Sequence, residues 1–229
     1  MSEKNFARMY EKDFNLVKYI IQWTSTYFLV APAIALFYRI SVKGRENIPK
    51  DRKFIFAPNH ISFIDPHTVF IATNRPMAYM AKIELFENKF LQWVIPKLGG
   101  FAVNREKLEV STIKTVRDVM KSKYFNLCIF PQGGIYRNKK IEVINRGFVV
   151  IAKTSKTDII PMAITGVEKY NWIPFKGHLN VKIGTPISWK LSEDEIYNQW
   201  AQQVSEMAGY EYAKIDDPEE IAKAKANAI

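Results

Sequence analysis

The first long apolar stretch lies between Lys18 and Arg39, where Tyr19–Tyr38 (YIIQWTSTYFLVAPAIALFY) carries no charge. Twenty helical residues reach roughly 30 Å, about the hydrocarbon thickness of a bilayer. Gln22, Thr24, Ser25 and Thr26 dilute its first half, and Pro32 falls inside it. A proline removes a helical hydrogen bond and clashes with the preceding turn, so two short apolar helices are expected rather than one straight span. Trp23 and Tyr27 are residue types that favour the headgroup region. The pattern favours an interfacial or half-inserted anchor, with a true span or a buried soluble helix as alternatives. Glu3, Glu11 and Asp13 precede the run and no small-residue cleavage site follows it closely, so a cleavable signal peptide fits poorly.

Beyond residue 40 short apolar runs alternate with helical periods. Strands are expected at Ile40–Val42, Lys53–Ala57, Phe101–Val103, Asn126–Phe130, Asp158–Ile164 and Leu179–Ile183, with Met77–Ala81 a further short apolar run. Helices are expected at Pro66–Thr73, Glu84–Lys97, Val110–Ser122 and Arg146–Thr154, the third from the 3–4 spacing of Ile113, Val116 and Met120. Ser192 followed by Glu195 reads as a capping box opening another helix. Such alternation predicts an α/β fold: a mostly parallel or mixed central sheet flanked by helices, after an N-terminal apolar helical segment. We divide the chain into an anchoring segment (1–40), a main α/β domain (41–210), expected to carry any catalytic site, and an acidic tail (211–229) read as a loose C-terminal helix.

The 229 residues are 48% hydrophobic and 24% charged, which excludes a disordered, collagen-like or coiled-coil chain. The single cysteine, Cys128, permits no intrachain disulfide and no cysteine-based zinc site. The net charge of +10 is uneven: from Ser192 onward nine acids face three lysines, leaving the first 191 residues at +16. A cationic body attracts anionic membranes, phosphorylated substrates or nucleic acid. The basic residues are dispersed and no nucleic-acid-binding signature is present, so nucleic acid is not expected as a partner.

Candidate chemistry follows the second strand, in FAPNHISFIDPH (56–67). Asp-Pro suits a helix start, with Asp65 at the N-cap and Pro66 at the first helical position. His60 then lies in the turn leaving the strand, where the Asp65 carboxylate can fold back to its imidazole. That would orient one ring nitrogen and leave the other as a base. Open α/β sheets bind ligands beyond their strand C-termini, where this turn sits. His67 makes a metal reading with His60 and Asp65 conceivable, but no further ligand completes a site, and no metal is expected. Ser62 is near, yet there is no G-x-S-x-G elbow to make it a nucleophile.

Asn59-His60-x-x-x-x-Asp65 resembles the N-H-x-x-x-x-D signature of the glycerolipid acyltransferases, specifically their 1-acylglycerol-3-phosphate acyltransferase (PlsC-type) branch. The resemblance covers roughly residues 40–190, in four ordered blocks. Gly99 and Arg105 match G-x-x-F-x-x-R, with Ala102 in the phenylalanine place. Phe130-Pro131-Gln132-Gly133-Gly134 matches F-P-E-G-T-R-S at Phe, Pro and Gly, and Ile160-Pro161-Met162-Ala163 supplies the proline-containing strand. Gln132 for glutamate and Gly134-Ile135 for Thr-Arg are departures that bear on the acceptor head.

The resemblance implies a glycerol-phosphate acyltransferase-like fold and transfer of an acyl chain from acyl-CoA or acyl-carrier protein to the hydroxyl of 1-acylglycerol-3-phosphate, giving phosphatidic acid. His60 would be the general base and Asp65 its partner. Asn59, Gly99, Arg105, Phe130, Pro131, Gln132, Gly133, Arg137 and Arg146 are the candidate substrate-binding residues, with Lys139 a further cation. Backbone N–H groups near Gly133-Gly134 are candidate oxyanion donors. Leu85, Phe86, Phe90, Trp93 and Val94 are expected mostly to pack in the core, with part of that face lining an acyl groove. No cofactor beyond the acyl thioester is implied. The expected partners are a lipid bilayer, the lysophospholipid acceptor and the acyl donor, with the enzyme membrane-associated and its catalytic domain facing the cytoplasm. Other lysophospholipid or glycerol phosphate acceptors, a catalytically degenerate membrane-bound relative and a soluble hydrolase are the competing readings.

Overall fold

The computed structural model describes residues 8–104, 109–215, 217–226 and 228. Leu16–Thr24 (α1) and Ala31–Phe37 (α2) are joined without a break by a π-helical stretch, Ser25–Val30. The expected interruption at Pro32 is thus absent. The wider turn absorbs the proline: Ala31 N–H reaches back to Thr26 O, and Pro32 sits in the first turn of α2.

A seven-stranded mixed sheet follows. Its strands are Tyr38–Lys43 (β1), Ile55–Pro58 (β2), Met77–Lys82 (β3), Gly100–Val103 (β4), Asn126–Cys128 (β5), Ile159–Thr165 (β7) and Gly177–Ile183 (β8), in the order β1-β8-β7-β2-β5-β3-β4. The strands β7, β2, β5, β3 and β4 run parallel, whereas β8 is antiparallel to β7 and parallel to β1. All of β2 is buried, as a strand covered on both faces must be. Helices Val110–Lys121 (α5), Gly147–Ser155 (α6) and Glu193–Ala208 (α7) cover one face, burying Val116, Phe148 and Trp200. The other face packs Ile34 of α2 with Val69 and Ala72 of Asp65–Thr73 (α3). The helix expected over Glu84–Lys97 is divided: a 3-10 turn spans Ile83–Glu87, then Asn88 caps a separate helix, Lys89–Lys97 (α4), by accepting from Phe90 and Leu91 N–H.

Two elements had no sequence expectation. Lys140–Ile141 (β6) pairs in parallel with Glu211–Tyr212 (β9), beyond which Pro218–Ala226 forms α8. The tail is therefore packed rather than loose: Ala224 is buried with Tyr136, on the loop between β5 and β6, and with Val143, just after β6.

Candidate active site

The chain leaves β2 at Pro58, and six residues, 59–64, lead to α3. Asn59 is completely buried and uses its whole amide on β7, donating to Ile164 O at 2.9 Å and accepting from Ile164 N–H at 2.6 Å. It pins the turn to the sheet, so its place is behind the site and not against substrate. His60 follows, then Ile61 and Ser62, whose backbone N–H groups donate to Asp65 Oδ2 at 2.7 and 2.8 Å.

His60 Nδ1 lies 2.8 Å from the same Oδ2. Backbone N–H groups can only donate, so an ionised Asp65 accepts all three bonds on Oδ2, with His60 Nδ1 as the third donor. Nε2 is left with its lone pair, as a base requires. Asp65 is fully buried and its Oδ1 has no hydrogen-bond partner among the described residues. Asp65 is the first residue of α3 and Ile64 the N-cap, one position from expectation. The carboxylate therefore braces the preceding turn instead of capping the helix. Tyr79 of β3 donates to Pro66 O at 2.5 Å and holds the first turn of α3 from below. Burial pushes the Tyr79 hydroxyl and the Cys128 thiol well above their ordinary values, the nearby Asp65 charge adding to the latter.

The loop after β5 closes over the imidazole. The Phe130 ring stacks on His60 with centroids 4.0 Å apart. Gln132, almost fully buried, accepts the His60 backbone N–H at 3.0 Å, and Tyr136 N–H donates to His60 O at 2.8 Å. Gly133 takes φ +71°, and a Cβ there would meet Asn145 Nδ2 at 2.5 Å. Asn145 in turn donates to the carbonyls of Pro131 and Gln132. Gly133 N–H is spent on Phe130 O at 3.0 Å, which removes it as an oxyanion donor. Arg137 donates from Nε to Ile61 O at 3.1 Å and from Nη2 to Tyr170 Oη at 3.0 Å, its guanidinium lying over the Tyr170 ring. Tyr170 Oη also lies 3.1 Å from Ser62 Oγ. Sequence reasoning missed Tyr170, which sits on the β7–β8 connection with no local signal.

The other candidates divide. Arg146 and Gly133 line a cavity of about 280 Å³ with Phe130, Phe148 and Ile151, but the Arg146 guanidinium bonds Asp194 at 2.7 Å and is raised above its ordinary value chiefly by that bond. Lys139 is exposed on the loop in a left-handed conformation. Gly99 precedes β4 at the N-terminal end of the parallel strands, opposite the His60 turn. Its φ of +84°, and the 2.7 Å at which a Cβ there would meet Met77 O, make it a turn residue rather than a substrate contact. Arg105 lies outside the described residues. Phe86 is buried in the core, whereas Leu85, Phe90 and Trp93 are exposed, and none of them lines the cavity. His67 turns away from His60, with Nδ1 2.9 Å from Thr26 Oγ1, and burial pushes its imidazole down.

A histidine braced by a buried carboxylate, at the C-terminal ends of parallel strands, can be set against relatives. The Acyltransferase family model matches residues 39–165. The chain belongs to the acyltransferase family. It is 32% identical over 149 residues to 1-acyl-sn-glycerol-3-phosphate acyltransferase of Bacillus subtilis (strain 168), covering 65% of this chain and 73% of that protein. It is 31% identical over 144 residues to the enzyme of the same name from Streptococcus pneumoniae (strain ATCC BAA-255 / R6), covering 62% of this chain and 53% of that one. The crystal structure of the 1-acyl-sn-glycerophosphate (LPA) acyltransferase PlsC from Thermotoga maritima superposes with a TM-score of 0.65 at 23% identity, over 93% of this chain and 83% of that one. This acyltransferase thus shares the PlsC fold.

Proposed function

We propose that this acyltransferase moves an acyl chain from a thioester, carried on CoA or an acyl-carrier protein, to the free hydroxyl of 1-acylglycerol-3-phosphate. The supporting observation is the single shared acceptor Oδ2, which leaves His60 Nε2 as the free base. Nε2 removes the hydroxyl proton as the oxygen attacks the thioester carbonyl. The tetrahedral intermediate collapses, the C–S bond breaks, and the imidazolium returns its proton to the thiolate. Asp65 stabilises the cationic imidazole between the two steps. No acyl-enzyme forms, in keeping with Ser62 Oγ being engaged with Tyr170. General-base catalysis of this kind contributes roughly 10²–10⁴-fold.

Arg137 is the cation best placed for the acceptor phosphate. Ile135, where the family carries arginine, is buried, and Arg137 hangs on the carbonyl next to His60. Its Nη1 edge makes no hydrogen bond to the described residues, while Tyr170 holds the plane of the group. The cavity beside Phe130 is the candidate entry for the donor's chain.

The lipid acceptor places the enzyme at a bilayer. On the continuous helix of α1 and α2, Gln22 is buried against β3 and Thr26 against α3, whereas Val17, Ile20, Phe28, Leu29 and Leu36 face outward. Of the described helices this is the one long and apolar enough to cross a membrane. Its inner face is bonded to β3 and α3, which favours lying in the interface with the outer face in lipid. We assign the catalytic domain to the cytoplasmic side.

A transfer assay offering acyl-CoA and acyl-carrier protein against a panel of lysolipids tests the assignment. Product is expected from 1-acylglycerol-3-phosphate and none with His60→Ala. Thioester loss without an acylated acceptor would point to a hydrolase instead.

A further inference from the structure

The connection between β7 and β8 carries Trp172-Ile173-Pro174-Phe175 at its tip, with Trp172 73%, Ile173 63% and Phe175 59% exposed. Single exposed apolar residues are ordinary, but a consecutive run is not. The run is also held in place. Asn171 N–H donates to Tyr38 Oη at 2.7 Å, Phe175 N–H to Leu36 O at 2.8 Å, and Asn171 Nδ2 to Ile173 O at 2.7 Å. Phe175 adopts φ +62°, a conformation an aromatic residue takes only when its surroundings impose it. The fold therefore fixes an outward display of apolar side chains.

Resting on the bilayer reading above, we infer that Trp172–Phe175 is a second membrane-insertion point, distinct from the N-terminal helix. The tip is continuous with the outer face of that helix: the Trp172 and Phe37 rings are in edge contact at 5.8 Å, and the Phe175 bond is to exposed Leu36. Exposed Lys169 and Lys176 flank the tip, and between Glu168 and Glu193 the sequence has no acid. Glu168 itself is occupied by Tyr210 and Gly166. An aromatic tip between lysines suits the headgroup region of an anionic bilayer. Four residues alone fall short of the roughly 800 Å² per partner of a stable protein interface.

A single interfacial helix leaves the protein free to roll about the helix axis, and a second contact removes that freedom. The root of the tip, Tyr170, touches Ser62 and Arg137, and Phe63 beside Ser62 is 66% exposed. Two-point docking therefore holds the His60 turn against the lipid surface, where the acceptor's glycerol lies.

The test uses the full chain with Ile173→Cys carrying an environment-sensitive fluorophore; native Cys128 is fully buried and does not compete. Leu29→Cys reports the helix, and Glu206→Cys on α7 is the control. On phosphatidylcholine–phosphatidylglycerol vesicles the probes at 173 and 29 are expected to shift blue and lose access to iodide, with 206 unchanged. A shift at 29 without one at 173 overturns the inference and leaves the bilayer reading standing; no shift at either position overturns both. Brominated-chain lipids give a label-free readout, and should quench the parent more than Trp172→Phe. Equal quenching of the two also overturns it. Trp172→Ser/Ile173→Ser is expected to lower transfer to bilayer-held acceptor about tenfold and leave transfer to detergent-dispersed acceptor unchanged.

Discussion

Asp65 concentrates its hydrogen bonding on one oxygen, and this asymmetry governs what substitution will do. An asparagine oxygen at position 65 can still accept from Ile61 and Ser62, but the neutral amide no longer stabilises an imidazolium. Asp65→Asn is expected to keep near-ultraviolet circular dichroism and lose at least about 10²-fold in kcat. Arg137→Lys tests a different residue-scale function. Lysine cannot bond Ile61 O, stack on Tyr170 and present a second edge together. A charge-assisted hydrogen bond contributes about 1.5–3 kcal/mol. The KM for a phosphorylated acceptor should therefore rise about 10–100-fold, with little change for an acceptor analogue lacking the phosphate. His60 and Asp65 were legible because five positions of chain bring them together. Asn59 was misread because its partner, Ile164, is 105 residues away, and Tyr170 was invisible because Ser62 is 108 residues away.

At the scale of elements, the N-terminal helix shows why an apolar run is hard to orient from sequence. Its polar residues looked like a weakened membrane signal, yet Gln22 donates to Met77 O and Leu98 O and accepts from Met77 N–H, each near 2.8–2.9 Å. Those partners lie on other elements, so the pattern along the chain could not reveal which face is inward. Gln22→Leu would leave these buried backbone groups unpaired, for an expected loss of about 2–4 kcal/mol, read as a lower urea midpoint. The Thr26–His67 contact makes a pH prediction. Burial lowers the His67 imidazole below its ordinary 6.5, so between the folded and unfolded values only the unfolded chain binds that proton. The stability contributed by neutral His67 is present above the unfolded value and declines as pH falls through it. Thermal midpoints of the parent should therefore drop more steeply from pH 7.5 to 5.5 than those of His67→Gln.

For the whole molecule, the alternation of runs was enough to give a mixed sheet between helices, but not its order. The parallel pairing of β1 with β8 joins segments far apart in sequence, and the two-residue strands β6 and β9 are too short to leave a pattern. The charge excess, legible from composition, and the apolar outer helix face, set by the fold, combine into one expectation for membrane binding. A body of +16 should prefer anionic vesicles, and that preference should shrink as salt shortens the screening length. The apolar contribution does not depend on salt. Phe28 and Leu29 are 69% and 70% exposed on the outer face, and burying such a side chain is worth about 1.5–3 kcal/mol. Phe28→Glu/Leu29→Glu should thus lower partitioning onto zwitterionic vesicles about 10²–10⁴-fold in a flotation assay, at any ionic strength. On anionic vesicles the same variant should retain a salt-sensitive remainder. Undiminished binding of the variant to zwitterionic lipid would mean that this helix face is not what the bilayer covers.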